Sequence, residues 1–398
     1  MVGVDELLSL VLADAAPRPP TKGLLHESRG QVLAQDIFAV NPLPWFANAA
    51  MDGFAVRRAD LASYSSISIV DHIAAGMSNS RRFGDGQGVA ISTGAALPPE
   101  LDTVVPLEIA TFAEGRITVR GDIPGHGHVR LAGEDVLVGS RVAERGAVLT
   151  DPLTTLALAT GITHVAAYTQ VRVHLVTVGD ELVVVGTPIE QGFTQDFNNE
   201  LLMTPISGCG CWVHGATFCP DDGREIAKVL GTGGYDVIVT TGGLGPGARD
   251  VVADAIARAG TVRAFDVAMR PGKAFAFGRV GTARVYALPG NPGAALAAFH
   301  ALVAPALRRL SGRPAHPPKI QAVLTEPIAN TGGRRHFVRA TLAWDGPTLA
   351  ATPTGRQGSG LVSDIAAADA LVVIHESVER AEPGDIVHIL PLKPIGGA

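Results

Sequence analysis

Val237-Ile238-Val239-Thr240-Thr241-Gly242-Gly243-Leu244-Gly245-Pro246-Gly247-Ala248-Arg249-Asp250 is the stretch around which the chain is organised. An uncharged β-prone run passes into a glycine-rich turn, then an acid, then an apolar-periodic run carrying Val251, Val252, Ala255 and Ile256. The pattern predicts a buried strand, a glycine loop and a helix. A strand apolar on both faces suits a parallel sheet covered on both sides. Ligands of such sheets bind beyond the carboxyl ends of the strands. Gly242, Gly243 and Gly245 permit positive φ and close backbone approach, so several N–H groups can point at one anion. Asp250 has two readings: a cap for its helix, or an acid that tolerates a nearby phosphate because a cation lies between them.

The same strand–loop–helix grammar extends on both sides. Val171–Val178 reads as a strand ending in Gly179-Asp180-Glu181, followed by a helix near 198–207. A short strand over 212–218 ends at Pro220-Asp221-Asp222, and a helix then carries Ile226, Val229 and Leu230. Phe275–Phe277 and Arg284–Leu288 are further strands. The second runs into Pro289-Gly290-Asn291-Pro292 and a long apolar helix over 294–310. Alternating strands and helices predict a doubly wound α/β sheet.

Around this core the texture changes. Residues 4–15 form an amphipathic helix closed by prolines, and a second helix is expected near Glu27, carrying Val32 and Leu33. From 42 to 138 short β runs alternate with turn residues, and the tail from 313 onward is again β-textured. Asp52-Gly53 and Ser92-Thr93-Gly94 read as ordinary turns when taken alone.

The chain has 398 residues, enough for several domains, and a net charge of −6. That mild acidity, with no Lys/Arg-rich run, argues against nucleic acid as a partner. No apolar stretch reaches membrane-spanning length and the N-terminus lacks a basic leader, so a soluble, cytoplasmic protein is expected. The three cysteines, Cys209, Cys211 and Cys219, are an odd number. They read as small buried residues rather than as a disulfide framework or a zinc site with His214.

The predicted strand ends carry one chemistry. Glu181, Asp221 and Asp250 beside a glycine nest suit a hard cation, Mg²⁺, bridging phosphate oxygens. Arg270 and Lys273, in Arg270-Pro271-Gly272-Lys273, supply positive charge for an oxyanion. Each has a plainer alternative, as a helix cap, an Asx turn or a solvated turn. P-loop and dinucleotide fingerprints are absent.

Taken in order, the motifs Ala50–Val56, Ser92–Pro98, Gly133–Asp135, Val178–Leu182, Asp196–Asn199, Thr241–Gly243, Arg270–Gly278, Leu288–Pro292 and Gly355–Ser359 resemble the molybdopterin molybdenumtransferase family, which includes bacterial MoeA and the C-terminal domain of gephyrin. The resemblance covers nearly the whole chain. It implies an α/β multidomain fold: a dimerisation domain in two segments (1–41 and 139–167), a β-rich insert (42–138), an α/β molybdopterin- and molybdate-binding domain (168–312) and a C-terminal β-barrel-like domain (313–398). It also implies a homodimer whose active site is shared between subunits, and a Mg²⁺-dependent insertion of molybdate into adenylated molybdopterin that releases AMP. The implied functional residues are Asp52, Glu181, Asp221, Asp250 and Arg270. Substrate contacts are implied at Thr93, Gly242, Gly243, Gly245, Lys273, Pro289, Gly290, Asn291, Pro292 and Ser359.

Three places depart from the family pattern. Arg270 stands for a lysine, Asp266 replaces a basic residue, and Leu244–Arg249 replaces a segment bearing a hydroxyl and a carboxylate. These keep other classes open: a paralogue that binds adenylated molybdopterin or a partner protein without inserting metal, and an adenylyltransferase-like activity.

Overall fold

The computed structural model describes residues 1–77, 79–123, 125, 127–245 and 251–395. They divide into two compact units, Lys22–Ala167 and Met1–Thr21 with Tyr168–Ala398. Helix α1 (Val4–Ala13) belongs to the second. Its Val4, Leu7 and Val11 repeat at helical spacing and are buried in one core with Leu175, Phe299 and Leu302. Residues 1–21, expected with the first of four domains, therefore pack on the α/β core.

In the unit Lys22–Ala167, a six-stranded sheet is built from β1 (Gly53–Val56), β2 (Ile67–Ile73), β3 (Gln87–Ile91), β4 (Thr103–Pro106), β5 (Ala110–Ala113) and β6 (Arg116–Val119), in the order β4-β1-β3-β2-β6-β5. Only the β2–β3 pairing is parallel among these. Helix α2 (Asp151–Ala159) starts at Thr150, whose side chain accepts from the Leu153 N–H. The helix expected near Glu27 is instead one 3-10 turn, Leu25–Ser28. Gly30, at φ 75°, turns the chain out of helical geometry. Val32 and Leu33 then form single β-bridges with Val148 and Ala167.

The second unit contains the α/β sheet. Its elements are β7 (Val171–Val178), α3 (Asn198–Gly208), β8 (Cys211–Cys219), α4 (Gly223–Leu230), β9 (Val237–Thr241), α5 (Val251–Ala259), β10 (Gly260–Asp266), β11 (Ala274–Val280) and β12 (Ala283–Leu288). The order is β8-β7-β9-β12-β11-β10. The expected parallel sheet holds over β8, β7, β9 and β12. Beyond them β11 and β10 are added antiparallel. The reason is local: only Gly281 and Thr282 separate β11 from β12, and Gly281 takes φ 57°, so the chain makes a hairpin instead of a crossover. β9 is buried at every position, as a central strand without a charged residue can be, and its last two residues, Thr240 and Thr241, carry hydroxyls to the sheet edge. One helical run follows β12: α6 (Pro292–Ala298), a π-helical segment (Phe299–Val303) and α7 (Ala304–Leu310).

The tail forms a closed barrel from β13 (Ile320–Leu324), β14 (Arg335–Asp345), β15 (Thr348–Pro353), β16 (Ala370–Ile374) and β17 (Ile386–Pro391). Pairings run β14–β15–β13–β17–β16 and return to β14, which leaves this ring without an open edge. Its interior holds Val338, Ala340, Val372 and Ile389.

All three cysteines are buried free thiols. Burial pushes Cys209 up to about 11 and raises the other two, so they are inert core residues. Among the described residues no helix is long and apolar enough to cross a membrane.

Candidate active site

The parallel register brings the strand ends level. Thr177 of β7 pairs with Thr241 of β9, which pairs with Leu288 of β12, while Val178 pairs with Cys219 of β8. Four loops therefore leave one sheet edge: after Val178, after Cys219, after Thr241 and after Leu288. Chain connectivity reverses here, because β8 lies on one side of β7 and β9 on the other. Such a switch point opens a crevice. It contains a cleft of about 530 Å³.

Glu181, Asp221, Gly242, Gly243, Gly245, Gly290, Asn291 and Pro292 all line this cleft. Glu181 folds back over Gly179. One carboxylate oxygen lies 2.6 Å from where a Cβ at 179 would sit, so that glycine makes room for the acid. The Asp180 carboxylate accepts the Asp221 N–H at 2.9 Å and ties the first loop to the second. Asp222 caps α4, accepting from the Arg224 and Glu225 N–H groups at 2.7 and 3.2 Å. Those bonds hold its carboxyl below the usual range. The capping role thus falls to Asp222, and Asp221 lines the cleft.

The glycine loop is close against its neighbours. A Cβ on Gly242 would fall onto the Val178 carbonyl oxygen, and φ there is 90°. Gly290 lies opposite, with its Cβ position 3.2 Å from the Gly242 Cα. The Gly290 carbonyl accepts from Asn198 Nδ2 at 2.7 Å, which fixes the Pro289–Pro292 turn against the start of α3. Pro289 precedes the lining residues without being one of them.

Ser359 meets the cleft's border through its backbone. Its carbonyl accepts the Gly293 N–H at 2.7 Å, and the next residue, Gly360, lines the cleft. The loop is held from the barrel by buried Arg339, which donates to the Arg356 and Gly358 carbonyls, each at 3.0 Å.

Lys273 stands apart from the cleft. It lines a neighbouring hollow, which shares Leu244 and Gly245 with the cleft, and its ammonium pairs with Asp266 at 3.0 Å. Arg270 is exposed on a short strand, Met269–Arg270, that pairs with β14 of the barrel, and it is not among the cleft residues. Asp250 and Arg249 lie outside the described residues. In the other unit, Asp52 Oδ1 accepts both the Thr93 backbone N–H at 2.7 Å and its hydroxyl at 2.9 Å. The two bonds hold the Asp52 carboxyl below the usual range.

The cleft also holds polar groups that residue-type reasoning did not single out. Asp196 and Asn198 are each at most 9% exposed, and one side-chain oxygen of each is buried without a hydrogen-bond partner. Thr177 and Thr241 add two hydroxyls in the same condition. Buried polar atoms are normally paired, and these four sit in side chains on the cleft wall. The available signal was the run Asp196-Phe197-Asn198-Asn199, three amide or carboxylate side chains opening a helix.

Compared with known proteins, the chain is 31% identical over 404 residues to the molybdopterin molybdenumtransferase of Haemophilus influenzae, covering 100% of both chains. The chain belongs to the molybdopterin molybdenumtransferase family. Molybdopterin molybdenumtransferase 2 of Mycobacterium tuberculosis is also 31% identical, over 92% of this chain and 94% of that protein. Three family models match in order: the MoeA N-terminal region (domain I and II) over residues 2–161, a "Probable molybdopterin binding domain" over 174–309, and the MoeA C-terminal region (domain IV) over 321–392. The solved molybdopterin biosynthesis MoeA protein of Pyrococcus horikosii aligns with a TM-score of 0.80 at 28% identity, over 99% of this chain and 100% of that one. Apart from Gly360, the residues that line the cleft at the switch point fall within the stretch matched by the family's molybdopterin-binding model.

Proposed function

We propose that the protein acts in molybdenum cofactor biosynthesis by inserting molybdate into adenylated molybdopterin, with release of AMP. The observation that carries this is the convergence of Glu181, Asp221 and the Gly242–Gly245 and Gly290–Pro292 loops on one cleft in a member of this family. Cleaving a phosphoanhydride demands charge stabilisation and positioning more than a covalent nucleophile. Backbone N–H groups of the glycine loop would receive phosphate oxygens. Asp196 and Asn198 offer unpaired oxygens to N–H donors such as those of a pterin ring. Lys273 would meet molybdate, a tetrahedral dianion, once its bond to Asp266 opens.

Mg²⁺ belongs to the same proposal. Among the described residues no three His, Cys, Asp or Glu side chains gather into a cage. Glu181 and Asp221 on the cleft wall, without a third acid gathered beside them among the described residues, suit an ion that completes its shell with water and phosphate oxygens, as Mg²⁺ does. Bound there, it would neutralise charge on the phosphoanhydride. The same reading includes a cytoplasmic homodimer in which Asp52 and Thr93 come from the second copy.

Purified protein with adenylated molybdopterin, molybdate and Mg²⁺ should release AMP in a molybdate-dependent manner. A second reading rests on the Asp266–Lys273 pair, which removes a cation from the oxyanion's side of the site. If the nucleotide binds and no AMP appears, the protein is a binder and the insertion reading fails.

A further inference from the structure

A second groove shares no lining residue with the cleft. It comprises two hollows of about 520 and 320 Å³ that have His300, Pro305, His316 and Leu390 in common. Four elements of the second unit build it, α1, the end of α3, the helical run 292–310 and the barrel, together with the connection 315–319. Its apolar floor includes Leu8, Phe337 and Val373.

Four histidines line it, and they differ. His300 lies in the π-helical segment Phe299–Val303, and its Nε2 is buried with no hydrogen-bond partner. Such π-helical turns often mark functional positions. Burial holds His300 down at about 4, so the ring is neutral at pH 7. His388 is also lowered by burial, then by Lys319. His316 and Lys319 are exposed, while His375 is tied to Ser377 at 2.8 Å.

The charge is one-sided. Asp5 is the acid on the groove wall among the described residues, and Arg335 engages it at 2.5 and 2.9 Å while also holding Glu376 at 2.9 Å. Lys319 in one hollow and Arg308 in the other have no carboxylate within ion-pair distance among the described residues. A basic, half-apolar groove on a chain of net charge −6 is selective by charge.

We propose that this groove is a second ligand site, built for a small amphiphilic anion: an apolar body seated on Leu8, Phe337 and Val373, and a carboxylate or sulfonate between Lys319 and the imidazoles. A bare oxyanion would leave the apolar floor unused, and a neutral apolar molecule would leave Lys319 without a partner.

The test uses the full chain and 8-anilinonaphthalene-1-sulfonate as the probe, with uncharged N-phenyl-1-naphthylamine and inorganic sulfate as controls. Saturable uptake of one probe per chain is expected, at least tenfold tighter than the uncharged amine, with sulfate a poor competitor. Lys319→Glu, a surface change, should weaken binding at least tenfold, and His300→Phe should weaken it while keeping a ring in place. Thermal melts of both variants report folding, and AMP release should be unaltered by saturating probe. Equal binding of the amine, binding unchanged in Lys319→Glu, or no saturable binding to the folded wild type would each overturn the proposal.

Discussion

Asp222 accepts two backbone N–H groups at the start of α4, and its neighbour Asp221 faces the cleft. Substitution should separate these duties. Asp221→Asn is expected to cut AMP release at least tenfold with the melting temperature unchanged. Asp222→Ala should lower the melting temperature and leave turnover nearly intact. The Asp222 carboxyl is lowered on folding, so its contribution is present above the ordinary carboxylate range and is lost as pH falls through the folded value. The melting-temperature gap between Asp222→Ala and wild type should therefore close on acidification. The sequence offered Asp221 as a cation ligand or Asp221-Asp222 as an Asx turn, and residue type alone does not assign the cap to Asp222. Gly242→Ala makes a second residue-scale case. It would force a non-glycine residue to positive φ and drive a methyl onto the Val178 carbonyl, at a cost of roughly 1–3 kcal/mol in urea unfolding. Lys273 was read as a free cation, yet its partner Asp266 lies seven residues away, across the start of the β10–β11 hairpin, and only tertiary structure reveals the pair. Asp266→Asn should lower the molybdate KM several-fold. An exposed pair contributes about 0.5 kcal/mol or less, so stability should barely move.

At the scale of elements, the strand–loop–helix units were legible because apolar runs and glycine stops are local signals. The run Val171–Val178 became a strand at those bounds, and the β-prone run from Val237 became a strand that extends to Thr241. The segment after Glu27 misled, since Val32 and Leu33 satisfy either a helix face or two bridges, and Gly30 decided against the helix. The hairpin β11–β12 was legible as two strands but not as antiparallel ones, because orientation depends on a two-residue connection. Arg270 was grouped with Lys273 by sequence adjacency, and the edge pairing with β14 draws it toward the barrel. The barrel also reaches the cleft indirectly, through Arg339 and the loop that bears Ser359. Arg339→Met removes the donor shared by the Arg356 and Gly358 carbonyls and should cost roughly 2 kcal/mol. Hydrogen exchange should rise over 355–360 with the barrel strands still protected. Uniform loss of protection across β13–β17 would show instead that Arg339 serves the barrel as a whole.

At the scale of the molecule, the two compact units raise the question of which copies build one active site. Asp52 and Thr93 belong to Lys22–Ala167, whereas Glu181 and Asp221 belong to the other unit. In the proposed homodimer each site takes Asp52 from one chain and Glu181 from its partner. The symmetry of such a dimer makes a sharp prediction. Asp52→Ala and Glu181→Ala should each be inactive alone. Mixed and reassociated, half the dimers carry one of each chain, and each of these has one doubly altered site and one intact site. Activity should therefore return to about one quarter of wild type. If both residues came from the same chain, every site in every mixed dimer would carry one lesion, and no activity would return at any mixing ratio. The two architectures are thus separated by a rate measurement on mixed variants, with sedimentation of the mixture confirming that reassociation has occurred.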